Sequence, residues 1–322
     1  SVSTVSRVLN DKDDVAADTY ERVQQVIAEL GYASSLAARG MRSRHTNVIG
    51  LIMPDVAEPY SYAVLQGVNR AIAQLDYDLI VYTNGDISKN TSADQERYYV
   101  SLLNGSITDG VIVVTTAATS FSTDAPLVAI DPNNESPECP AIISTNHKGA
   151  LEAMQYLTGL GHRRIGFISG RQELVSSQRR LQGYRDGLAA AGIAVDEELI
   201  QVGDYSYQTA IGCAADLLSL ANPPTAIFAA NDRSAMAVYQ VASERGLHIP
   251  VDLSVVGFDN SIDALLSNPQ LTTVDQFVAE MGFTAIEMVM KLIIGESLAK
   301  ELHKIQTKLI VRDSCSLQNS LR

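Results

Sequence analysis

Residues 224–260 read PTAIFAANDRSAMAVYQVASERGLHIPVDLSVVGFDN. Two apolar runs, AIFAA at 226–230 and SVVGF at 254–258, flank an amphipathic helical stretch over 235–245. An apolar run without polar alternation is a strand covered on both faces, and a strand–helix–strand order lays such strands parallel in one sheet. The same alternation runs outward through most of the chain. VIGLIM (48–53), LIVY (79–82), GVIVVT (110–115) and LVAI (127–130) form a first series. RIGFIS (164–169), LIQVG (199–203) and the two strands above form a second. Amphipathic stretches over 64–75 and 181–191 supply covering helices. The pattern predicts an α/β protein of two doubly wound parallel-sheet lobes, with the break near 145–149. A helix over 279–292 and a strand near 305–311 come late. They are expected to cross back, so that each lobe is completed by a late segment.

The first 46 residues carry no strand pattern. Ser3 or Thr4 is placed to cap a short helix bearing Val5, Val8 and Leu9. A second helix carries Val23, Val26, Ile27 and Leu30 at a 3.6-residue period. Asp18, three residues before Glu21, reads as a capping box, and Gly31 stands where a left-handed C-terminal residue belongs. Two short helices bury little, so this zone needs more chain or a partner. LAARGMR at 36–42 is too short to be a stable helix alone and reads as a linker that orders on contact.

The chain has 322 residues, 46% of them hydrophobic and 19% charged, enough for about two globular domains with an appendage. No apolar run reaches the ~18 residues that span a bilayer, and no secretion signal is visible at the N-terminus. The three cysteines are scattered and the five histidines dispersed. Neither set has metal-ligand spacing, so no metal or cofactor is expected, and a reduced, cytoplasmic chain is. The net charge of −13 argues against a nucleic-acid partner only on average. Residues 1–47 hold six bases and six acids, and residues 30–54 contain no acid but do contain Arg39, Arg42, Arg44 and His45. Phosphate fields are screened within about 10 Å, so a local cationic strip on an acidic body is compatible with DNA binding.

Ligands of open parallel sheets bind outside the carboxyl ends of the strands. The polar residues there are Asp55, Asp131, Asn231, Asp232, Asp259 and Asn260, with Arg180 in a serine-rich stretch nearby. Carboxylates accept from sugar hydroxyls, a guanidinium donates in a fixed fork, and amides do both. Tyr60, Tyr62 and Tyr205 offer faces to the apolar side of a sugar ring. Each Asp or Asn after a strand has an equally plain reading as a cap of the next helix, Asp232 most of all. In the first zone, Ser1, Val2, Ser3, Thr4, Ser6 and Arg7 form either the reading face of a helix-turn-helix or one side of an ordinary helical hairpin. Met41, between Arg39 and Arg42, has the chemistry of a minor-groove wedge. Enzyme signatures are missing: no GxGxxG after a strand, no GxxxxGK[ST], no HExxH and no GxSxG.

The strings STVSRVLN, ERVQQVIAELGY, NVIGLIMPD, LGHRRIGFISG, RLQGYRDGLAAAGI, the 224–260 stretch and LTTVDQ follow in collinear order over nearly the whole chain. Together they resemble the LacI/GalR family of bacterial transcription regulators. The resemblance implies a helix-turn-helix headpiece over 1–33 lacking its first helix and a hinge over 34–46. It implies a core like the type I periplasmic sugar-binding proteins, with lobes of 47–146 plus 277–303 and 147–276 plus 304–317, and a tail at 318–322. It assigns Val2, Ser3 and Arg7 to base reading, with Ser1, Thr4 and Ser6 beside them, and Ala38, Arg39, Met41 and Arg42 to the hinge over the minor groove. It assigns Arg180, Asn231, Asp259 and Gln276 to small-molecule binding, and brings Tyr60 and Tyr205 to the same cleft. Glu58, Asn260 and the stretch Ser144–Asn146 depart from the family pattern, which leaves the ligand open.

The expected function is thus a homodimeric repressor that binds near-palindromic double-stranded operator DNA. A small carbohydrate-type effector between the lobes would control it. The alternatives are a sugar-binding protein for transport or sensing without a DNA role, and an enzyme acting on a sugar.

Overall fold

The computed structural model describes residues 1–9, 14–30, 45–83, 92–105, 107–298 and 302–318. The chain divides into two units, Ser1–Thr46 and Asn47–Arg322.

In the first unit, α1 spans Val2–Leu9 and α2 spans Ala17–Leu30. The first helix starts earlier than its sequence suggested. Ser1, rather than Ser3 or Thr4, is the cap, its Oγ accepting from Thr4 N at 3.2 Å. Asp18 falls inside the first turn of α2, one residue past the start. There its charge favours the helix dipole but its side chain is not the cap. Val8 is buried, whereas Val26 and Leu30 are 46% and 75% exposed. The apolar stripe of α2 is therefore largely uncovered by the described part of this unit. Gly31 and the hinge positions Ala38, Arg39, Met41 and Arg42 lie outside the described residues.

The second unit contains two six-stranded sheets. In chain order the elements of the first half are β1 (Val48–Met53), α3 (Pro59–Ile72), β2 (Asp78–Thr83), α4 (Ser92–Leu102), β3 (Gly110–Val114), β4 (Leu127–Ile130) and β5 (Ala141–Ser144). Next come α5 (Asn146–Gly159), β6 (Ile165–Ile168), α6 (Val175–Ala190), β7 (Ile200–Gln201), α7 (Tyr207–Leu218), β8 (Ala226–Ala229), α8 (Asp232–Glu244), β9 (Ser254–Asp259), α9 (Ile262–Leu266) and β10 (Thr272–Asp275). The last are α10 (Val278–Ile293), β11 (Leu302–Ile305) and β12 (Lys308–Ile310). The sheet orders are β11-β5-β4-β3-β1-β2 and β12-β10-β9-β8-β6-β7. All pairings are parallel except β10 with β12.

β1, β3 and β4 are buried at every position, as strands covered on both faces must be. One face of the first sheet packs on α3 and α10, the other on α4. The two helices α3 and α10 approach so closely that a Cβ on Gly67 would lie 1.7 Å from the carbonyl oxygen of Ala279. The second sheet is covered by α7 and α8 on one face and by α5 and α6 on the other.

Two expectations need correction. The single late strand near 305–311 is two strands, split because the chain crosses between lobes at Gln306 and Thr307: β11 joins the first sheet and β12 the second. The LIQVG strand shrinks to Ile200–Gln201, because Asp196 caps a 3-10 turn over Glu197–Leu199 just before it.

The lobes are joined by three crossings that are bonded to one another. Thr145 N donates to Ile305 O at 3.0 Å, Thr307 N donates to Thr145 Oγ1 at 2.9 Å, and Ser144 Oγ donates to Gln276 Oε1 at 2.7 Å.

Candidate functional site

The carboxyl ends of the strands of both sheets line one cleft of about 680 Å3. Four residues at these ends hold left-handed backbone: Thr115 (φ 47°), Asp131 (φ 48°), Tyr205 (φ 73°) and Asp259 (φ 111°). Such a conformation costs an L residue on the order of 1–3 kcal/mol and persists only where the surroundings enforce it. All four line the cleft. At these points the chain kinks and places a polar side chain on the cavity wall.

Arg180 stands at the centre. It projects from α6 and is only 4% exposed. Its Nε donates to Asn146 Oδ1 at 2.7 Å, and its Nη1 donates to the carbonyl of Ala230 and reaches Asp259 Oδ1 at 3.5 Å. The guanidinium carbon lies 3.9 Å above the centre of the Phe258 ring and 5.6 Å from that of Tyr205. A planar, weakly hydrated cation is suited to this wall, since it stacks and donates in several directions at once. The Tyr205 ring in turn lies on Gly170, where a Cβ would come within 2.0 Å of it.

The carboxylates feel opposing forces. Burial pushes the Asp259 carboxyl upward, while Arg180 and a hydrogen bond from Gln276 Nε2 hold it back. Burial likewise raises Asp131, and the Arg180 charge again opposes it. Asp232 is wholly buried and forms no ion pair among the described residues. Desolvation and the nearby Asp259 charge drive its carboxyl up, although Thr273 Oγ1 and Ser261 N both donate to it.

The node reaches the lobe crossings in two bonds. Arg180 holds Asn146, which follows the first crossing, and Asp259 holds Gln276, whose Oε1 accepts from Ser144. Between the lobes, Arg233 Nη1 meets Glu58 Oε2 at 3.0 Å on the cleft wall, Arg179 meets Glu135, and Val175 N donates to Asn133 Oδ1 at 2.9 Å. These contacts join residues carried by the two different sheets.

Of the ligand-site residues expected from sequence, Asp55, Tyr60, Arg180, Tyr205, Asn231 and Asp259 line the cleft. Tyr62 does not. It lies two residues after Tyr60 on α3, roughly 200° around the helix, and is 56% exposed. Gln276 stands behind Asp259, buried, rather than on the cavity wall. Asn231, not Asp232, is the cap of α8: its Oδ1 accepts from Ser234 N at 3.0 Å, and its Nδ2 donates to Tyr205 O at 3.1 Å. Asp131, a strand-end candidate from sequence, also lines the cleft, and residues that sequence reasoning left out of the site include Thr115, Glu58 and Arg233. Thr115 reads from sequence as the last residue of the GVIVVT strand, whereas β3 ends one residue earlier at Val114. The pairing of Glu58 with Arg233 is a contact across 175 positions and carries no local signal.

In the first unit, Val2 and Ser6, and Ser3 and Arg7, are four residues apart on α1 and so stack in pairs along one side. Ser1, Val2, Ser3 and Arg7 are exposed, Thr4 and Ser6 half-buried. Arg7 Nη1 is 3.4 Å from Asp14 Oδ2, a solvent-exposed pair. Among the described residues no cluster of His, Cys, Asp or Glu is arranged to hold a metal, and no helix is long and apolar enough to cross a membrane.

Residues 1–35 match the family model for bacterial regulatory proteins, lacI family, and residues 154–315 match that for a periplasmic binding protein-like domain. The chain is 30% identical over 326 residues to the HTH-type transcriptional repressor PurR of Vibrio campbellii, covering 99% of this chain and 96% of that protein. The chain belongs to the lacI family of bacterial regulatory proteins. Among solved structures, the transcriptional regulator CelR–cellobiose complex is 30% identical with a TM-score of 0.73, covering 98% of this chain and 96% of that one. The Lac repressor dimer bound to operator and the anti-inducer ONPF shares the fold, at 24% identity and a TM-score of 0.83, over 98% and 96% of the two chains. This lacI-family chain is a DNA-binding transcription regulator with a ligand-binding core, and not an enzyme.

Proposed function

We propose that the protein is a cytoplasmic repressor that works as a homodimer on near-palindromic operator DNA and is controlled by a small carbohydrate-type effector in the cleft. On this reading α1 enters the major groove, with Val2, Ser3 and Arg7 against base edges and Ser1, Thr4 and Ser6 against phosphates and neighbouring edges. Two copies occupy two half-sites, which makes the operator near-palindromic. Ala38, Arg39, Met41 and Arg42 contact the minor groove between them, with Met41 as the wedge.

The observation that carries the control is the Arg180–Asp259 node. Its groups face the cavity on one side and hold Asn146 and Gln276 on the other. A ligand hydroxyl that donates to Asp259 competes with Gln276 for the same carboxylate, and therefore acts directly on a residue of the lobe crossings. Moving a two-state equilibrium from 1:99 to 99:1 needs about 5.5 kcal/mol of differential affinity, which a few charge-assisted hydrogen bonds of ~1.5–3 kcal/mol each supply.

The test is fluorescence anisotropy of the full-length protein on palindromic sites selected from a random DNA pool, with and without sugars. The expected result is salt-sensitive, sequence-selective binding that at least one sugar shifts. Binding no better than to random duplex overturns the repressor reading.

A further inference from the structure

The charges of the cleft are unbalanced, and two of its three cations are ion-paired with its own carboxylates. Six carboxylates and three arginines line it. Arg180 is held by Asn146, Ala230 and Asp259; Arg233 is paired with Glu58; and Arg171 Nε donates to the carbonyl of Asp204 at 3.3 Å. An anionic group entering the cavity thus finds Arg180 and Arg233 already paired with the cleft's own carboxylates, and meets Asp131 and Asp259 on the cavity wall.

The hydroxyls tell the complementary story. Tyr60 Oη, Thr115 Oγ1, Tyr205 Oη and Ser261 Oγ are buried at the cleft and have no protein partner at ordinary hydrogen-bond geometry. Burying a polar group without a partner is unfavourable, so four such hydroxyls at one cavity favour a ligand that partners them. A hydroxyl both donates and accepts, as a sugar hydroxyl does. The carboxylates beside them accept only, and need donors. Tyr60 and Thr115 come from the first lobe, and Tyr205 and Ser261 from the second, so one ligand satisfying all four touches both lobes. A flat aromatic ligand fits less well. Arg180 lies over the Phe258 ring and near that of Tyr205, and the Tyr205 ring also rests on Gly170, so these two rings leave no open pair of faces to sandwich a base.

We infer that the cleft selects an uncharged polyhydroxyl ligand, a neutral sugar or glycoside, and that Asp131 and Asp259 reject the phosphorylated and carboxylated forms of the same sugar. This rests on the reading of the cleft as the effector site and narrows its ligand class. Asp131 is the specificity-determining residue: it follows β4 directly, lines the cleft and lies beside Tyr60 and Arg180. Asn is well tolerated in the left-handed backbone that Asp131 adopts, which makes Asp131→Asn a fair test.

The experiment is calorimetric titration and thermal shift of the full-length protein with neutral mono- and disaccharides, their 6-phosphates, the corresponding sugar acids, and hypoxanthine. At least one neutral sugar is expected to bind saturably, with its 6-phosphate on the order of 100-fold weaker, since like-charge juxtaposition in a desolvated site costs several kcal/mol. Asp131→Asn narrows that ratio at least tenfold, by weakening the neutral sugar and strengthening the anion. Thr115→Val, which removes one unpartnered hydroxyl but no charge, weakens both and leaves the ratio unchanged. The inference fails if the 6-phosphate binds as tightly as the neutral sugar, if hypoxanthine alone binds, if no neutral sugar binds, or if Asp131→Asn leaves the ratio where it was. A neutral sugar that binds with this selectivity but leaves DNA affinity unchanged sinks the repressor reading and not this one. A sugar phosphate that shifts DNA affinity sinks this one and not the repressor reading.

Discussion

Replacing Arg180 with alanine tests whether the node is structural as well as ligand-facing. The side chain is 4% exposed and its partner Asp259 12%. Removing one member of a buried charged pair leaves the other uncompensated, which costs about 3–5 kcal/mol. Asn146 Oδ1 and the Ala230 carbonyl also lose their donor, but these terms overlap with the first because the side chain is removed once. For a unit of this size each kcal/mol lowers the melting temperature by about 2–4 °C, so Arg180→Ala is expected to melt on the order of 10 °C lower. Part of the cost is the stranded carboxylate, so adding Asp259→Asn to the variant should restore a measurable share, on the order of 1–3 kcal/mol, although Asp259→Asn alone destabilises. Arg180→Lys keeps the charge but loses the stacked plane over Phe258 and one direction of the fork, and falls between. The assay is thermal unfolding and urea unfolding at one pH, each followed by circular dichroism, for all four variants. A fall in melting temperature below about 3 °C for Arg180→Ala, or no recovery with Asp259→Asn, would refute the account and leave Arg180 as a ligand contact only.

Three further outcomes follow from single contacts. Tyr62→Ala, on the solvent side of α3, should change sugar affinity by no more than about twofold, measured by titration, whereas Tyr60→Phe should weaken it several-fold. Gly67→Ala drives a Cβ into the backbone of α10 and should cost at least 1–3 kcal/mol in urea unfolding, while Gly212→Ala on α7, with open space around its added methyl, should be neutral or stabilise by up to about 1 kcal/mol. Asp232 and Asp259 both bind their protons more tightly folded than unfolded, where an Asp titrates near 4. Their contribution is therefore most favourable below that value and declines as pH rises through the raised folded values. Urea midpoints should fall between pH 5 and 8, and the slope should flatten in Asp232→Asn; an unchanged slope would show that Asp232 is ionised throughout.

The lobes were legible because each strand carries its own signature. VIGLIM, GVIVVT and LVAI are apolar at nearly every position, and a strand buried on both faces needs nothing more to be read. The shorter strands were not. AIIS and TTVD, β5 and β10, are four residues each, and the second is polar at three of its four positions, with Thr273 spending its hydroxyl on Asp232. A strand whose polar side chains are satisfied by tertiary partners looks like a loop in one dimension. The same reason hid the end of the chain, where two strands of different sheets are separated only by Gln306 and Thr307.

For the site, what was legible was chemistry at strand ends, and what was hidden was division of labour among similar groups. Asn231 and Asp232 are adjacent, polar and both follow β8. From sequence the aspartate was the better cap, yet the asparagine caps. The difference lies in where the next strands place their donors. Thr273 on β10 and the Ser261 amide converge on position 232, and only a carboxylate accepts both. With its neighbour so engaged, Asn231 is left to accept from Ser234 and donate to Tyr205, and thereby fixes the left-handed turn that lays Tyr205 over Gly170. An assignment made from one strand end at a time cannot reach this, because the deciding partners are 29 and 41 residues downstream. The consequence is specific. Asn231 lines the cleft with its amide already committed at both ends, so on the proposed reading of the cleft its part is to hold Tyr205 in place, and the Tyr205 hydroxyl is the one proposed to meet the ligand.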